Sequence, residues 1–378
     1  MSNSALSTAV PFVDFKAHVA ALRAELDAAA ARILDSGWFI LGPEGERFER
    51  ELAQALGARE AVAVGNGTDA IHLALRARGV GPGDEVVTTS ISAAFSALAI
   101  LQAGARPVFV DVDPKTLNID PEAAARAVTP RTKALLPVHL YGHPADMDPL
   151  LELACARGIS LVEDACQAHG ARYRGRPVGT LAGERGLGAL SFYPTKNLGA
   201  FGDGGAVLVN DPEEAALLRQ LRNGGQRDRY HHERFGVNSR LDELQAALLR
   251  VGLAHLASWN ERRRELAAFY TRELTGSGVE PLLEQPYAQS VAHLYVVRHP
   301  RRDALADALE RLGIGTLIHF PVPLHLQPAF ASLGGKPGAL PVAERAAGEI
   351  LSLPLYPELS DEAARRVVSA VRTAAREC

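Results

Sequence analysis

The chain has 378 residues, a formal net charge of −4, and is 47% hydrophobic and 22% charged. That is enough apolar sequence to bury a large core in a soluble protein, and the slight acidic balance excludes a general nucleic-acid binder, which carries a basic excess. Three cysteines without metal-ligand spacing, a start (Met1-Ser-Asn-Ser-Ala-Leu-Ser7) without a signal peptide's features, and no apolar run near the roughly 18 residues of a membrane helix point to a cytoplasmic protein.

A helical segment is expected over residues 1–58. From about residue 60 to 210, short β-rich runs alternate with helical patterns. Strands are expected at Ala61–Val64, Glu85–Thr88, Pro107–Val110, Ala134–Val138, Ser160–Glu163, Ala189–Phe192 and Ala206–Val209. Helices are expected between several of them, at Thr68–Arg78, Ala94–Ala103 and Asp146–Arg157. Such alternation predicts an α/β fold with a largely parallel sheet covered on both faces. Ser239-Arg-Leu-Asp242 has the form of a helix N-cap with an acid three residues on, opening a long helix over about 240–270. Beyond it, a run at Leu294–Val297, a helix at Asp303–Leu312, a strand near Gly315–His319 and a last helix at Asp361–Arg376 suggest a smaller unit. The expected division is therefore a large unit over 1–250 and a smaller one over 251–378.

Ligands bind at the carboxyl ends of strands in such sheets. Two expected strands end in reactive groups: one at Asp164, the other in Ser191-Phe-Tyr-Pro-Thr-Lys196-Asn-Leu-Gly199. A lone lysine is usually a solvated charge, and an Asp after a strand is commonly a helix N-cap. Together they match what a pyridoxal phosphate (PLP) enzyme needs. Lys196 would hold the aldehyde as a Schiff base, and Asp164 would keep the pyridine nitrogen protonated. Gln167 could donate to the ring hydroxyl oxygen. Gly65-Asn-Gly-Thr-Asp-Ala70, between a strand and a helix, offers backbone N–H groups for a phosphate, with Gly67, Thr68 and Ser191 as its ligands. The stretch Arg222–Asn238 is dense in basic and aromatic residues. It is either a solvated loop or a clamp for a diphosphate-linked substrate, formed by Arg227, Arg229, Tyr230 and His231. His319 and His325 are separated by prolines and are expected in loops lining a cleft.

These motifs, in this order, resemble the nucleotide-sugar aminotransferases, the DegT/StrS group of fold-type I PLP enzymes. The similarity runs from Gly65-Asn-Gly-Thr-Asp-Ala70 through Pro137-Val-His-Leu-Tyr-Gly142 and Glu163-Asp-Ala-Cys-Gln-Ala-His169. It continues in the Lys196 run and Gly236-Val-Asn-Ser-Arg-Leu-Asp-Glu-Leu-Gln-Ala246. The resemblance implies a homodimer with its site at the subunit interface, where Asn238 reaches the neighbour's cofactor phosphate and loop 226–235 covers the neighbour's site. It implies a ping-pong cycle with glutamate as amino donor and pyridoxamine phosphate as intermediate. Phe192–Ala200 and Ile318–Gln327 look like the branch that aminates C-3 of dTDP-3-oxo-deoxyhexoses, where Tyr193, His319 and the next residue line the sugar pocket. That next residue is often tyrosine; here it is Phe320. Many relatives carry a ring-stacking aromatic where Ala93 aligns, and none is assigned here. A C-4 aminotransferase and a non-catalytic regulatory protein of the same fold remain as alternatives.

Overall fold

The computed structural model describes residues 9–378; the first eight residues of the expected 1–58 segment lie outside the described residues. Helices Phe15–Ser36 and Pro43–Leu56 precede the first strand. The central sheet has seven strands. From one edge they run Glu60–Val64, Gly205–Val209, Leu187–Ser191, the strand 160–164, Thr132–Leu136, Glu85–Thr89 and Arg106–Val110. Strand 160–164 joins the two halves: Ser160–Leu161 pairs with Thr132–Leu136, and Glu163–Asp164 pairs with Leu187–Ser191. Gly205–Val209 runs antiparallel to both neighbours, so the expected parallel sheet holds for every strand but this one.

Alternation along the strands fills both faces. Val62, Val64, Val207 and Val209 face helices Gly67–Ala77 and Pro212–Arg222, while Ala61, Ala63, Leu208 and Leu190 face Phe48, Leu52 and Leu150. Burial on both sides accounts for the apolar runs of these strands.

The long helix spans Glu243–Leu274 and starts later than the Ser239 cap predicts. The Ser239 hydroxyl is engaged elsewhere, donating to Asp69 Oδ2 (2.6 Å) and accepting from the Gly65 N–H (2.9 Å). Leu244, Leu248 and Val251 on this helix pack beside Ala29 and Ile33. A second, more deeply buried face of small residues, Ala246 and Gly252, approaches the sheet. Gly252 keeps the contact close there: a Cβ would lie 3.2 Å from Leu198 Cδ1.

Past this helix, strands Glu280–Pro281, Tyr295–Arg298 and Ile350–Leu353 form an antiparallel sheet packed with helices Arg302–Arg311 and Asp361–Glu377. Around Gly315–His319 there are only isolated bridges, Ile314 to Val10 and Leu317 to Ser352; the regular strand is Ile350–Leu353, which follows a helix without a turn signal. We propose that the boundary between the units falls later than residue 250, within the long helix. Leu256 still packs in the first core, whereas Leu266 and Tyr270 belong to the second. Among the described residues, no helix is long and apolar enough to cross a membrane.

Candidate active site

Two neighbouring strands deliver Asp164 and Ser191 to the same edge of the sheet, with Asp164 opposite Ala189 in register. No helix follows Asp164, so it is not a cap. It is 3% exposed, accepts at Oδ2 from the Ser96 hydroxyl (2.7 Å) and at Oδ1 from the Cys166 N–H (3.2 Å). Ser96 lies on helix Ala94–Gln102 and bonds Ser92 in turn (3.1 Å). These bonds fix the orientation of the carboxylate.

After Ser191 the chain makes a compact turn. The Ala200 N–H reaches the Phe192 carbonyl (2.7 Å), and a Cβ on Gly199 would sit 2.4 Å from the Pro194 carbonyl oxygen, so only glycine closes it. The turn projects Lys196 into the crevice, where burial lowers its amine pKa against the opposing pull of Cys166 and Asp164. A lysine held in that state is a better nucleophile at neutral pH than a solvated one.

Histidines enclose the same crevice. Burial and, second, the charge of Lys196 push His169 down to about 3 and His319 to about 4, and hold His293 well below the ordinary imidazole range. All three are neutral at pH 7. His169 stacks on Phe192 with centroids 5.8 Å apart. Gln167 accepts the Tyr141 N–H at Oε1 (2.6 Å), which orients its amide so that the NH₂ remains a donor.

Gly67 opens helix Gly67–Ala77, whose N-cap Asn66 accepts the Asp69 N–H (2.8 Å). A Cβ on Gly67 would come within 2.6 Å of Ser191 Cβ, so the helix N-terminus and the Ser191 hydroxyl share one small cradle. The N–H groups of Gly67 and Thr68, at the positive end of the helix dipole, suit an anion there. A phosphate at this end and a carboxylate–lysine pair beside it fit PLP, and they are the residues the sequence points to.

The remaining expected residues divide. Tyr193, beside the turn, is 54% exposed. His319 comes from the C-terminal unit, its Nδ1 bonded to Ser352 Oγ (2.8 Å). Phe320 adopts a left-handed backbone (φ 68°) and stacks on Tyr141, itself left-handed at φ 58°, with centroids 6.1 Å apart. Non-glycine residues in that region carry strain that surrounding structure must hold.

His325 departs from the expectation. It does not line a cleft but is 4% exposed in the turn Leu324–Leu326, with Nε2 on Glu344 Oε1 (3.1 Å). Glu344 also accepts from the N–H groups of Gly338 and Leu340, which holds its carboxylate against the imidazole.

Arg227, Arg229, Tyr230 and His231 lie on an exposed hairpin, Gln226–Asp228 with His231–His232. Arg227 pairs with Glu233 (2.7 Å), His231 with Asp228, and Arg229 lies over the Tyr230 ring. Asn238 is exposed just beyond. The sequence reading passed over Ser96, Asn197, Asn260 and His293. The available signal was polar Asn260 and Arg263 on the stripe Leu256, Leu266 and Tyr270, where a helix packed on both units should be apolar.

Residues 20–372 match the model of the DegT/DnrJ/EryC1/StrS aminotransferase family. The dTDP-3-amino-3,4,6-trideoxy-α-D-glucose transaminase of Streptomyces venezuelae is 54% identical over 98% of this chain and 98% of its own. The UDP-N-acetyl-3-dehydro-α-D-glucosamine 3-aminotransferase of Acidithiobacillus ferrooxidans is 44% identical over 97% of this chain and 98% of its own. The crystal structure of S. venezuelae DesV in complex with a ketimine intermediate superposes with a TM-score of 0.95 at 54% identity, covering 97% of this chain and 98% of that one. Enzymes of this group are PLP-dependent. With its seven-stranded sheet and a lysine–aspartate pair at the strand ends, the chain belongs to the DegT/DnrJ/EryC1/StrS aminotransferase family and has a fold-type I architecture.

Proposed function

We propose that the protein moves an amino group from glutamate to C-3 of a dTDP-linked 3-oxo-6-deoxyhexose, using PLP held by Lys196, Asp164 and the Gly67 cradle. The observation that carries this reading is the depressed amine of Lys196 in the same crevice as the buried carboxylate of Asp164. The choice of C-3 and of dTDP rests on what the more similar of the two named enzymes is said to act on.

When bound, PLP supplies an electrophilic aldehyde carbon and a ring that withdraws electrons from the carbon next to the substrate nitrogen. Lys196 would hold the aldehyde carbon covalently. Once released, its Nζ takes the proton from the amine-bearing carbon of the donor and later delivers one to C-3 of the sugar. Asp164, oriented by Ser96 and the Cys166 N–H, would hold the ring-nitrogen proton. Gln167 would donate from its NH₂ to the ring hydroxyl oxygen. Gly67, Thr68 and Ser191 would receive the phosphate, joined by Asn238 from a second subunit of a homodimer. Tyr193, His319 and Phe320 would face the sugar, and the hairpin 226–232 would cover the neighbour's nucleotide. Binding of the nucleotide far from C-3 would position the ketone, a use of remote binding energy that raises turnover.

The test is a visible absorbance titration of the PLP-loaded protein. Glutamate should bleach the band, and a dTDP-3-oxo-6-deoxyhexose should restore it while yielding the 3-amino sugar. Restoration by a 4-oxo sugar alone would move the reaction to C-4, and no band with added PLP would remove the enzyme reading.

A further inference from the structure

The turn that carries Lys196 is tied to the segment that carries Asp164 through two side-chain amides. Asn197 is 4% exposed, and its Nδ2 donates to Asn260 Oδ1 (2.8 Å) and to the Val291 carbonyl (3.0 Å). Asn260, also 4% exposed and on the long helix, directs its own Nδ2 to the His169 carbonyl (2.8 Å). His169 lies five residues beyond Asp164 in the same segment.

The acceptor side of Asn197 is equally determined. Its Oδ1 can only accept, so His293 Nδ1 donates across their 3.0 Å contact, which sets the tautomer. Arg263, three residues after Asn260, donates through Nη1 to the carbonyls of His293 (3.3 Å) and Leu355 (2.9 Å). Both amides are thus engaged on both their donor and acceptor sides. Other contacts of the turn, such as Ala200 with Phe192 and Leu198 near Gly252, fix it to its own strand and to the helix. The amide pair runs from the turn to the backbone of the Asp164 segment.

We infer that Asn197 and Asn260 are positioning residues acting as one clasp, which sets the separation between the Lys196 amine and the Asp164 carboxylate. The inference rests on the cofactor reading above. Deleting either amide leaves buried donors and acceptors without partners and frees the turn to shift. A displacement of about 1 Å at a reacting group costs about 100-fold in rate.

The experiment compares Asn197→Ala, Asn260→Ala and the double variant with the wild type. It measures PLP uptake by the apoprotein by absorbance, the pH profile of that uptake, kcat and KM for glutamate, and the thermal midpoint. Each single variant should slow uptake and lower kcat by about 100-fold, with KM within about threefold. The midpoint of the uptake pH profile should move, because the lysine amine leaves its enclosure. The double variant should be no worse than the singles, as for two halves of one device. Singles that melt earlier but keep uptake and kcat within about twofold would overturn the clasp, as would a double variant losing the product of the two single effects. If Asn260→Ala does not fold, Asn260→Ser, which can satisfy one partner but not both, takes its place with the same expectations. A wild type that takes up no PLP overturns the cofactor reading and the clasp together, whereas uptake by the wild type beside unchanged variants overturns the clasp alone.

Discussion

The crevice around Lys196 and the hairpin 226–232 were both marked by sequence as functional, yet they are built in opposite ways. In the crevice, Asp164, Gln167 and His169 are at most 6% exposed and bonded or stacked to chain from distant elements. On the hairpin, Arg227 and His231 are more than 60% exposed and answer charges of their own loop. Folding one chain fixes the carboxylate, the amide and the imidazole of the first region. It leaves the second with local pairs worth little, since exposed ion pairs contribute at most about 1 kcal/mol each. A region in the first state holds its reacting groups in place by itself; one in the second gains definition from what docks on it.

The contrast predicts unequal penalties. Lys196→Ala should lower turnover by about 10⁴-fold and remove the cofactor's absorbance band, since both the covalent hold and the proton transfer disappear. A variant that keeps near-normal rates would break the assignment. Asp164→Asn should retain PLP, measured by absorbance after gel filtration, but slow proton removal from glutamate by about 10²–10³-fold in single-turnover kinetics. Unchanged kinetics would take Asp164 out of its role.

What the sequence made legible follows the same division. Strand ends, the glycine turn and the Lys196 run were readable because local propensity and burial agree there. The reversed direction of Gly205–Val209 was not, because an apolar strand buried on both faces reads alike in either direction. Ser239 looks like a cap because its local pattern is right, but a carboxylate 170 residues away competes for its hydroxyl. His325 was taken for a cleft residue since prolines excluded a helix, and nothing nearby announces Glu344 as its partner. Asn197 and Asn260 were passed over for the same reason: their meaning lies in a pairing across 63 residues.

Burial also gives the crevice a pH signature. His169 has a folded pKa of about 3 against an ordinary 6.5, so between those values the unfolded chain binds one more proton. Its contribution is complete above pH 6.5 and is lost as pH falls toward 3. The slope is about 1.4 kcal/mol per pH unit over that window. Urea unfolding of the apoprotein at pH 7, 6 and 5 should therefore show a steep loss of stability, and His169→Gln should flatten it by about that slope. An unchanged slope would mean that His169 is protonated in the folded state.

The smallest effect on stability belongs to the hairpin, and that is where the comparison is sharpest. Arg227→Ala removes an exposed pair with Glu233 and should change unfolding free energy by less than about 1 kcal/mol. If the hairpin covers a neighbouring subunit's nucleotide, the same variant should raise the KM for the sugar by about tenfold, the value of one charge-assisted contact to a phosphate. Mixing subunits separates the two copies. Chains carrying Lys196→Ala, nearly inactive alone, and chains carrying Asn238→Ala, weakened in cofactor binding, should recover about a quarter of wild-type turnover at limiting PLP when unfolded together and refolded. Half of the dimers then combine the two variants, and one site in each such dimer receives an intact Lys196 and an intact Asn238. Without recovery, Asn238 serves its own subunit, and the exposed hairpin returns to being a solvated loop.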